Sequence, residues 1–198
     1  MSRTTNRSRR TVLAVALGAL IIAGTAACKD TTGGSVSTDA KPTTAASGHS
    51  SGSGSGSTSG SKSAKVGDTI ALKGMDSTAD VTVVRIVDNP AGADEFNTPE
   101  AGKRFFAVQF RIKATGSKAY SDSPSNGAKV VDSQGQAYEA DISDTKAGQS
   151  FPASVNIAPG GSGLGFIVFQ VPSNAKITQI QFGLDSGMAD QTGQWNVN

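Results

Sequence analysis

Between residues 106 and 113 the chain reads Phe-Ala-Val-Gln-Phe-Arg-Ile-Lys, and this alternation limits the fold more than any other stretch. Side chains on a strand point to alternate faces. Phe106, Val108, Phe110 and Ile112 therefore share one face, and Ala107, Gln109, Arg111 and Lys113 share the other. A strand of this kind buries one face and wets the other, as in an antiparallel sheet. Residues 69–73 read as a short first strand closed by Gly74. Residues 81–87 are β-branched, and their apolar phase shifts between Val83 and Val84, which predicts a bulge or burial on both sides. Residues 128–132 and 136–140 flank the turn 133–135 as a hairpin. Residues 154–157 form a strand before the turn 158–161. Residues 164–171 are apolar on both parities, as in a central strand, and Pro172 stops the run. Residues 180–184 alternate again, and a last strand includes Trp195, expected to seal the core or an edge. No window sustains helical spacing; residues 97–103, with Pro99 and Gly102, read as a loop with at most one helical turn. Short strands with a turn every ten residues or so predict an all-β sandwich or barrel.

The first 28 residues are of another kind. Arg3, Arg7, Arg9 and Arg10 precede an apolar run, 11–24, and then Thr25-Ala26-Ala27-Cys28. A basic head, a short apolar core and a small-residue site make an export signal. Cys28 is the chain's single cysteine and stands where a bacterial lipoprotein signal places the thiol that takes a diacylglyceryl group. Thr25 stands where that pattern prefers Leu. The run is short and rich in Ala and Gly for a transmembrane helix, which needs about 20 strongly apolar residues. A cleaved lipoprotein is the leading reading; a secreted protein cut by the general signal peptidase and an uncleaved anchor are the alternatives. All three place the remainder outside the cell, because the arginines hold the N-terminus inside. Residues 8–13 also resemble a twin-arginine export motif built on Arg9 and Arg10, and read equally well as a plain basic head.

The formal charge of +2 belongs to this leader. Four of the basic residues and none of the acidic ones lie there, so the mature chain is near −2. No cluster of Lys and Arg remains to bind a phosphate backbone, which excludes nucleic acid as a partner.

Residues 29–64 show no apolar periodicity, and 47–63 are nearly all Gly and Ser, interrupted by His49 and Lys62. Such a stretch cannot bury enough apolar surface to offset its ordering entropy and is expected to be a disordered tether. A coil of this length spans roughly 30–35 Å r.m.s.. Thr31, Thr32, Thr38, Thr43 and Thr44, beside Pro42, are candidate O-glycosylation acceptors, although an unmodified linker accounts for them as well. The composition changes at Lys65. The expected organisation is thus a signal peptide, 1–27, a lipidated cysteine and tether, 28–64, and one domain, 65–198. That domain is large enough to build a core without disulfides.

Several of its stretches carry a family resemblance. Val66-Gly67-Asp68-Thr69-Ile70, the run from Gly102 to Lys113, Val131-Asp-Ser-Gln-Gly-Gln-Ala-Tyr-Glu139, Ile157-Ala-Pro-Gly160 and Gly165-Phe-Ile-Val-Phe-Gln-Val-Pro172 occur in this order. Together they resemble the telokin-like immunoglobulin-fold domain of bacterial surface lipoproteins, over nearly all of residues 65–198. The resemblance implies an immunoglobulin-like antiparallel β-sandwich with no established general activity, related to a secreted mycobacterial antigen of similar fold. Many members end the middle strand with Asn-x-Gly; here Ala114-Thr115-Gly116 stands instead, which alters a turn. The family supplies no catalytic residue to carry over.

The residues of the domain point the same way. His49 lies in the tether and Cys28 is expected to be lipidated, so Ser-His or Cys-His catalysis and a zinc site lack their ligands. Gly161-Ser162-Gly163-Leu164-Gly165 precedes a strand rather than a helix, so it reads as a turn and strand start rather than a phosphate cradle. Asp94 with Glu95, Asp141 with Asp144, and Asp185 with Asp190 lack the dense acidic spacing of a calcium loop. The same carboxylates give no reason to choose a glycosidase pair. No cofactor or metal is expected. Phe96, Tyr120 and Phe151 fall in or beside loops; they either form a contact patch or plug the ends of the core. The expected function is that of a monomeric, non-enzymatic binding module held at the membrane by lipid on Cys28, with an envelope protein or wall polymer as partner. The alternatives are a surface domain without specific ligand, and a small-ligand carrier or enzyme with an unrecognised site.

Cys28→Ala is expected to abolish lipid labelling and release or mislocalise the protein; labelling and membrane retention at the wild-type level would refute the lipoprotein reading.

Overall fold

The computed structural model describes residues 35–41 and 64–197. The chain forms β1 (Ser35–Ser37), β2 (Thr69–Lys73), β3 (Thr78–Asp88), β4 (Lys103–Ala114), β5 (Tyr120–Asp122), a single helical turn α1 (Pro124–Gly127), β6 (Ala128–Asp132), β7 (Ala137–Asp141), β8 (Val155–Ile157), β9 (Ser162–Pro172), β10 (Ile177–Gly183), a 3₁₀ turn (Asp185–Gly187) and β11 (Gln191–Asn196). The helical turn opens at Pro124, while residues 97–103 form no helix. Nine strands follow the order β1-β11-β10-β6-β7-β9-β4-β3-β2, and β5 and β8 pair separately. Only β1 on β11 runs parallel among these pairs.

This sheet folds over on itself as an immunoglobulin-like, nearly closed β-sandwich. Near the two ends of this order, β11 and β2 meet at a seam. There the Lys73 amide donates to Gln191 Oε1 at 2.8 Å, and the Trp195 indole donates to the Asp68 carbonyl at 3.0 Å. Phe106, Val108, Phe110 and Ile112 point from β4 into the core, as their alternation requires. Phe110 meets Phe182 of the opposite layer, ring centroids 5.2 Å apart, and the edge of Trp195 at 6.5 Å. Register shifts between Val83 and Arg85, so Val84 is the bulged residue that the phase change predicts.

The other face of β4 is only partly wet. Arg111 and Lys113 are exposed, but Phe105 and Ala107 are fully buried in a second cluster with Phe166 and Val168. Ala147 packs on this cluster, and Arg85 fixes it there: its guanidinium donates to the Ala147 carbonyl at 3.1 Å and lies 4.8 Å from the Phe166 ring centroid. Ala107 therefore does not face solvent, because a loop too polar to read as part of the core covers it.

Residues 35–41 also depart from the expected tether. β1 pairs with β11 from Ser35 opposite Gln191 to Ser37 opposite Gly193. The Ala64 amide donates to the Thr38 carbonyl at 2.8 Å, and the Lys41 amide to the Thr69 carbonyl at 2.7 Å. Backbone pairing of this kind needs no apolar side chain, so composition gives no sign of it. The stretch 42–63 lies outside the described residues. At the domain's near boundary, Ala64 is already fully buried.

Phe110→Ala is expected to cost about 3–5 kcal/mol in chemical unfolding, as large-to-small core changes do. Arg111→Ala is expected to cost well under about 1 kcal/mol. Similar costs would contradict the one-sided burial of this part of β4.

Candidate functional site

A groove in the side of the sandwich follows from the course of β7. Residues 137–139 pair with β6, and Ala140 and Asp141 then pair with β9. One strand thus passes from one layer to the other. Beyond Asp141 the chain leaves the sheet, and β9 takes a new neighbour: Phe166 donates to the Gln149 carbonyl at 2.9 Å and accepts from the Phe151 amide at 3.0 Å. Between the departing β7 and the returning loop lies a groove of about 710 Å³. Phe166, Ile167 and Val168 of β9 line it, with Phe151 beside them and Ser125 and Asn126 of α1 opposite. Ile142 and Met188 also line it and are strongly exposed, at 103% and 71%.

Glycine lets Phe151 lie so close. A Cβ on Gly165 would fall 2.7 Å from the Phe151 ring and 2.8 Å from its backbone nitrogen. The glycine-rich run is a turn and strand start, as its position before β9 indicates, and it also makes room for the groove's aromatic side chain.

On the far side, two consecutive non-glycine residues are left-handed: Asp185, φ 54°, and Ser186, φ 56°. Such a conformation is costly and persists only where the surroundings enforce it. Asp122 enforces it here. Its carboxylate accepts from the Ser186 amide at 3.0 Å, the Ser186 hydroxyl at 2.7 Å, the Ser123 amide at 2.7 Å and the Tyr120 hydroxyl at 3.1 Å. The Asp185 carboxylate accepts from the Met75 amide at 2.6 Å and ties the same turn to the β2–β3 connection. The strained turn brings Ser186 and Met188 onto the groove.

The charged side chains lining the groove are Glu139, Asp141 and Asp144, all acidic. Glu139 pairs with Lys129 at 2.9 Å. Burial pushes the Asp141 carboxyl up, but hydrogen bonds from Ser143 and Gln170 outweigh it, leaving the group below its ordinary pKa. Asp144 accepts from the Ser150 hydroxyl at 2.6 Å, and its amide donates to Asn97 Oδ1 at 2.8 Å. Asp94 holds the adjacent turn: the Asn97 side chain and the Phe96 and Asn97 amides donate to it and lower its pKa. Among the described residues, no three His, Cys, Asp or Glu side chains gather to hold a metal ion.

Arg9, Arg10 and Cys28 lie outside the described residues. The three aromatic candidates do not meet in one patch. Tyr120 is buried, with its pKa driven far upward by burial and by Asp122; it is a core plug. Phe151 is half-buried on the groove. Phe96 is 87% exposed on the Asp94 turn, next to the residue that holds Asp144, and does not line the groove. The groove residues that a search for loop aromatics misses are Ile142, Ser186 and Met188. Ile142 carries a legible signal, an apolar side chain between Asp141 and Ser143 in a run of polar loop residues.

The family model described as a domain of unknown function (DUF4352) matches residues 64–192. The chain belongs to this family. Two solved structures share the sandwich. One is YcdA of Bacillus subtilis, described as a candidate lipoprotein: 12% identity, TM-score 0.51, over 68% of this chain and 39% of that one. The other is MPT63, a secreted protein of Mycobacterium tuberculosis: 18% identity, TM-score 0.51, over 67% of this chain and 95% of that one. This chain therefore spans well under half the length of the first and nearly all of the second. No curated protein matches. At these identities the likeness establishes the fold alone. Among the described residues, no helix is long and apolar enough to cross a membrane.

Asp122→Ala is expected to cost about 2–4 kcal/mol, because four donors lose a charged acceptor around a strained turn. Asp122→Asn keeps one acceptor and is expected to lose less in the same urea titration. Equal losses from the two would show that acceptor count is not what holds the turn.

Proposed function

We propose that this family member is an exported envelope lipoprotein of the telokin-like immunoglobulin type that recognises its partner by contact in the lateral groove. The observation that carries the reading is the groove's rim, where Ile142 and Met188 stand exposed beside Asp141 and Asp144. Exposed apolar side chains around a shaped concavity are the usual mark of a binding site. The acidic lining favours a partner that combines an apolar body with an amine or guanidinium, such as a segment of an envelope protein or an amine-bearing wall polymer. The leader and Cys28 support the placement outside the cell, and the descriptions of the two similar structures agree with it.

The reading is non-catalytic. Three of the groove's serine hydroxyls are held in structural bonds: Ser123 to the Ala153 carbonyl at 2.5 Å, Ser150 to Asp144 and Ser186 to Asp122. Among the described residues, no His, Lys or Cys lines the groove to stand beside these hydroxyls as a base or nucleophile.

Ile142→Glu and Met188→Glu change exposed positions and are each expected to alter stability by no more than about 0.5 kcal/mol. In capture assays with wall and membrane fractions, each is expected to weaken retention of the mature protein at least tenfold, with Arg111→Ala as an unaffected control. Retention that survives both substitutions would move recognition away from the groove. A wild-type protein that captures nothing would favour a surface domain without a specific ligand.

A further inference from the structure

The seam between β11 and β2 has an occupant, and it is a piece of this chain. β11 would be an edge strand, with a row of unpaired backbone groups, were it not covered. Residues 35–41 cover it and cross from β11 to β2. Ser35–Ser37 pair with residues 191–193, Ala64 donates to Thr38, and Lys41 donates from its amide to Thr69. Ala40 packs on the main core. The Lys41 ammonium reaches Asp80 of β3 at 2.5 Å, with the Asp80 side chain only 14% exposed. The segment therefore has a parallel register on β11, an apolar contact with the core and an ion pair with β3.

Its position in the chain gives the docking a consequence. Cys28 precedes Ser35 by seven residues and Ala64 by 36. An undocked leash from Cys28 to Ala64 has an r.m.s. span of roughly 30–36 Å. With residues 35–41 docked, only six residues lie between Cys28 and Ser35, and the seven steps across them reach at most about 25 Å even fully extended. The docked segment also selects an end. Ser35 lies opposite Gln191, next to Lys73 and the β2–β3 connection, whereas the β6–β7 turn lies at the other end of β10, where Ile177 pairs with Asp132.

We propose that residues 35–41 are a clasp that binds the β11–β2 seam, converts a long tether into a short one and turns the β2–β3 end of the domain toward the bilayer. For the anchor alone, this rests on lipidation of Cys28; the docking itself does not. Release of the clasp frees the full leash and lets the groove sample a deeper shell above the membrane.

Two measurements on the processed full-length protein test it. Hydrogen exchange in detergent is expected to show the amides of residues 36–41 protected at least tenfold over random-coil rates. Asp80→Lys, or replacement of residues 35–41 by Gly and Ser at equal length, is expected to remove that protection while the β4 amides stay protected. On vesicles, a fluorophore at Ser133→Cys, on the β6–β7 turn, is expected to sit at a narrow height that becomes larger and broader in both clasp variants. Unprotected amides in the wild type, or unchanged height in both variants, would overturn the clasp. Should mass spectrometry find no lipid on Cys28, the envelope reading fails and the exchange result alone decides whether the segment is docked.

Discussion

The transfer of β7 from one layer to the other is the constraint on which the rest of the structure depends. Residues 137–139 belong to β6, and Ala140 and Asp141 to β9. The hairpin turn that starts β7 is held by Asp132, which accepts from the amides of Gln134 and Gln136 and from the Tyr138 hydroxyl. These bonds, the Gln136 amide foremost, hold its carboxyl below the ordinary range. Because β7 joins the layers over so few residues, they are free to separate immediately beyond it. The groove is the space left by that early departure.

Carboxylates do much of the joining that disulfides do in other small domains. Asp94, Asp122, Asp132, Asp141 and Asp185 each accept from backbone amides at a turn or between separate elements. Asp94, Asp141, Asp144 and Asp185, which look like scattered calcium ligands in the sequence, accept hydrogen bonds from the loops around them. The same chemistry leaves the groove acidic without the convergence a cation site requires, since each of its three carboxylates already has a partner.

Where burial followed a simple period, the sequence was sufficient. The inward face of β4, the bulge at Val84, the β6–β7 hairpin and the two-sided burial of β9 are all written in apolar spacing. β1 and β5 were illegible because each is three residues long and is defined by its pairing partner. Ala107 was misplaced because a distant loop covers it. The groove was hidden for a related reason. Ser186 reaches it through a left-handed turn enforced by Asp122, 64 residues away in sequence, and no local pattern encodes such a contact. Tyr120 and Phe151 both looked like loop aromatics; only the three-dimensional placement makes one a plug and the other part of a recess.

An immunoglobulin-like sandwich directs attention to the loops at its ends, where related folds place their contact residues. Here the geometry favours the sides. One lateral margin is opened by β7 into a groove; the other is closed by residues 35–41, Trp195 and Lys73. Both features concern the same difficulty, the unpaired edges that a nearly closed sheet leaves behind. The chain meets it differently at each margin. At the closed seam it supplies its own strand, which carries no information about any partner. At the open margin β7 leaves β9 after Asp141, the 149–151 loop takes up its backbone pairing at Phe166, and Ile142 and Met188 stand exposed on the groove between them. Under the proposed binding role, recognition falls on the margin where β7 exchanges its place for a loop, because that is where side chains rather than a strand of this chain meet the solvent.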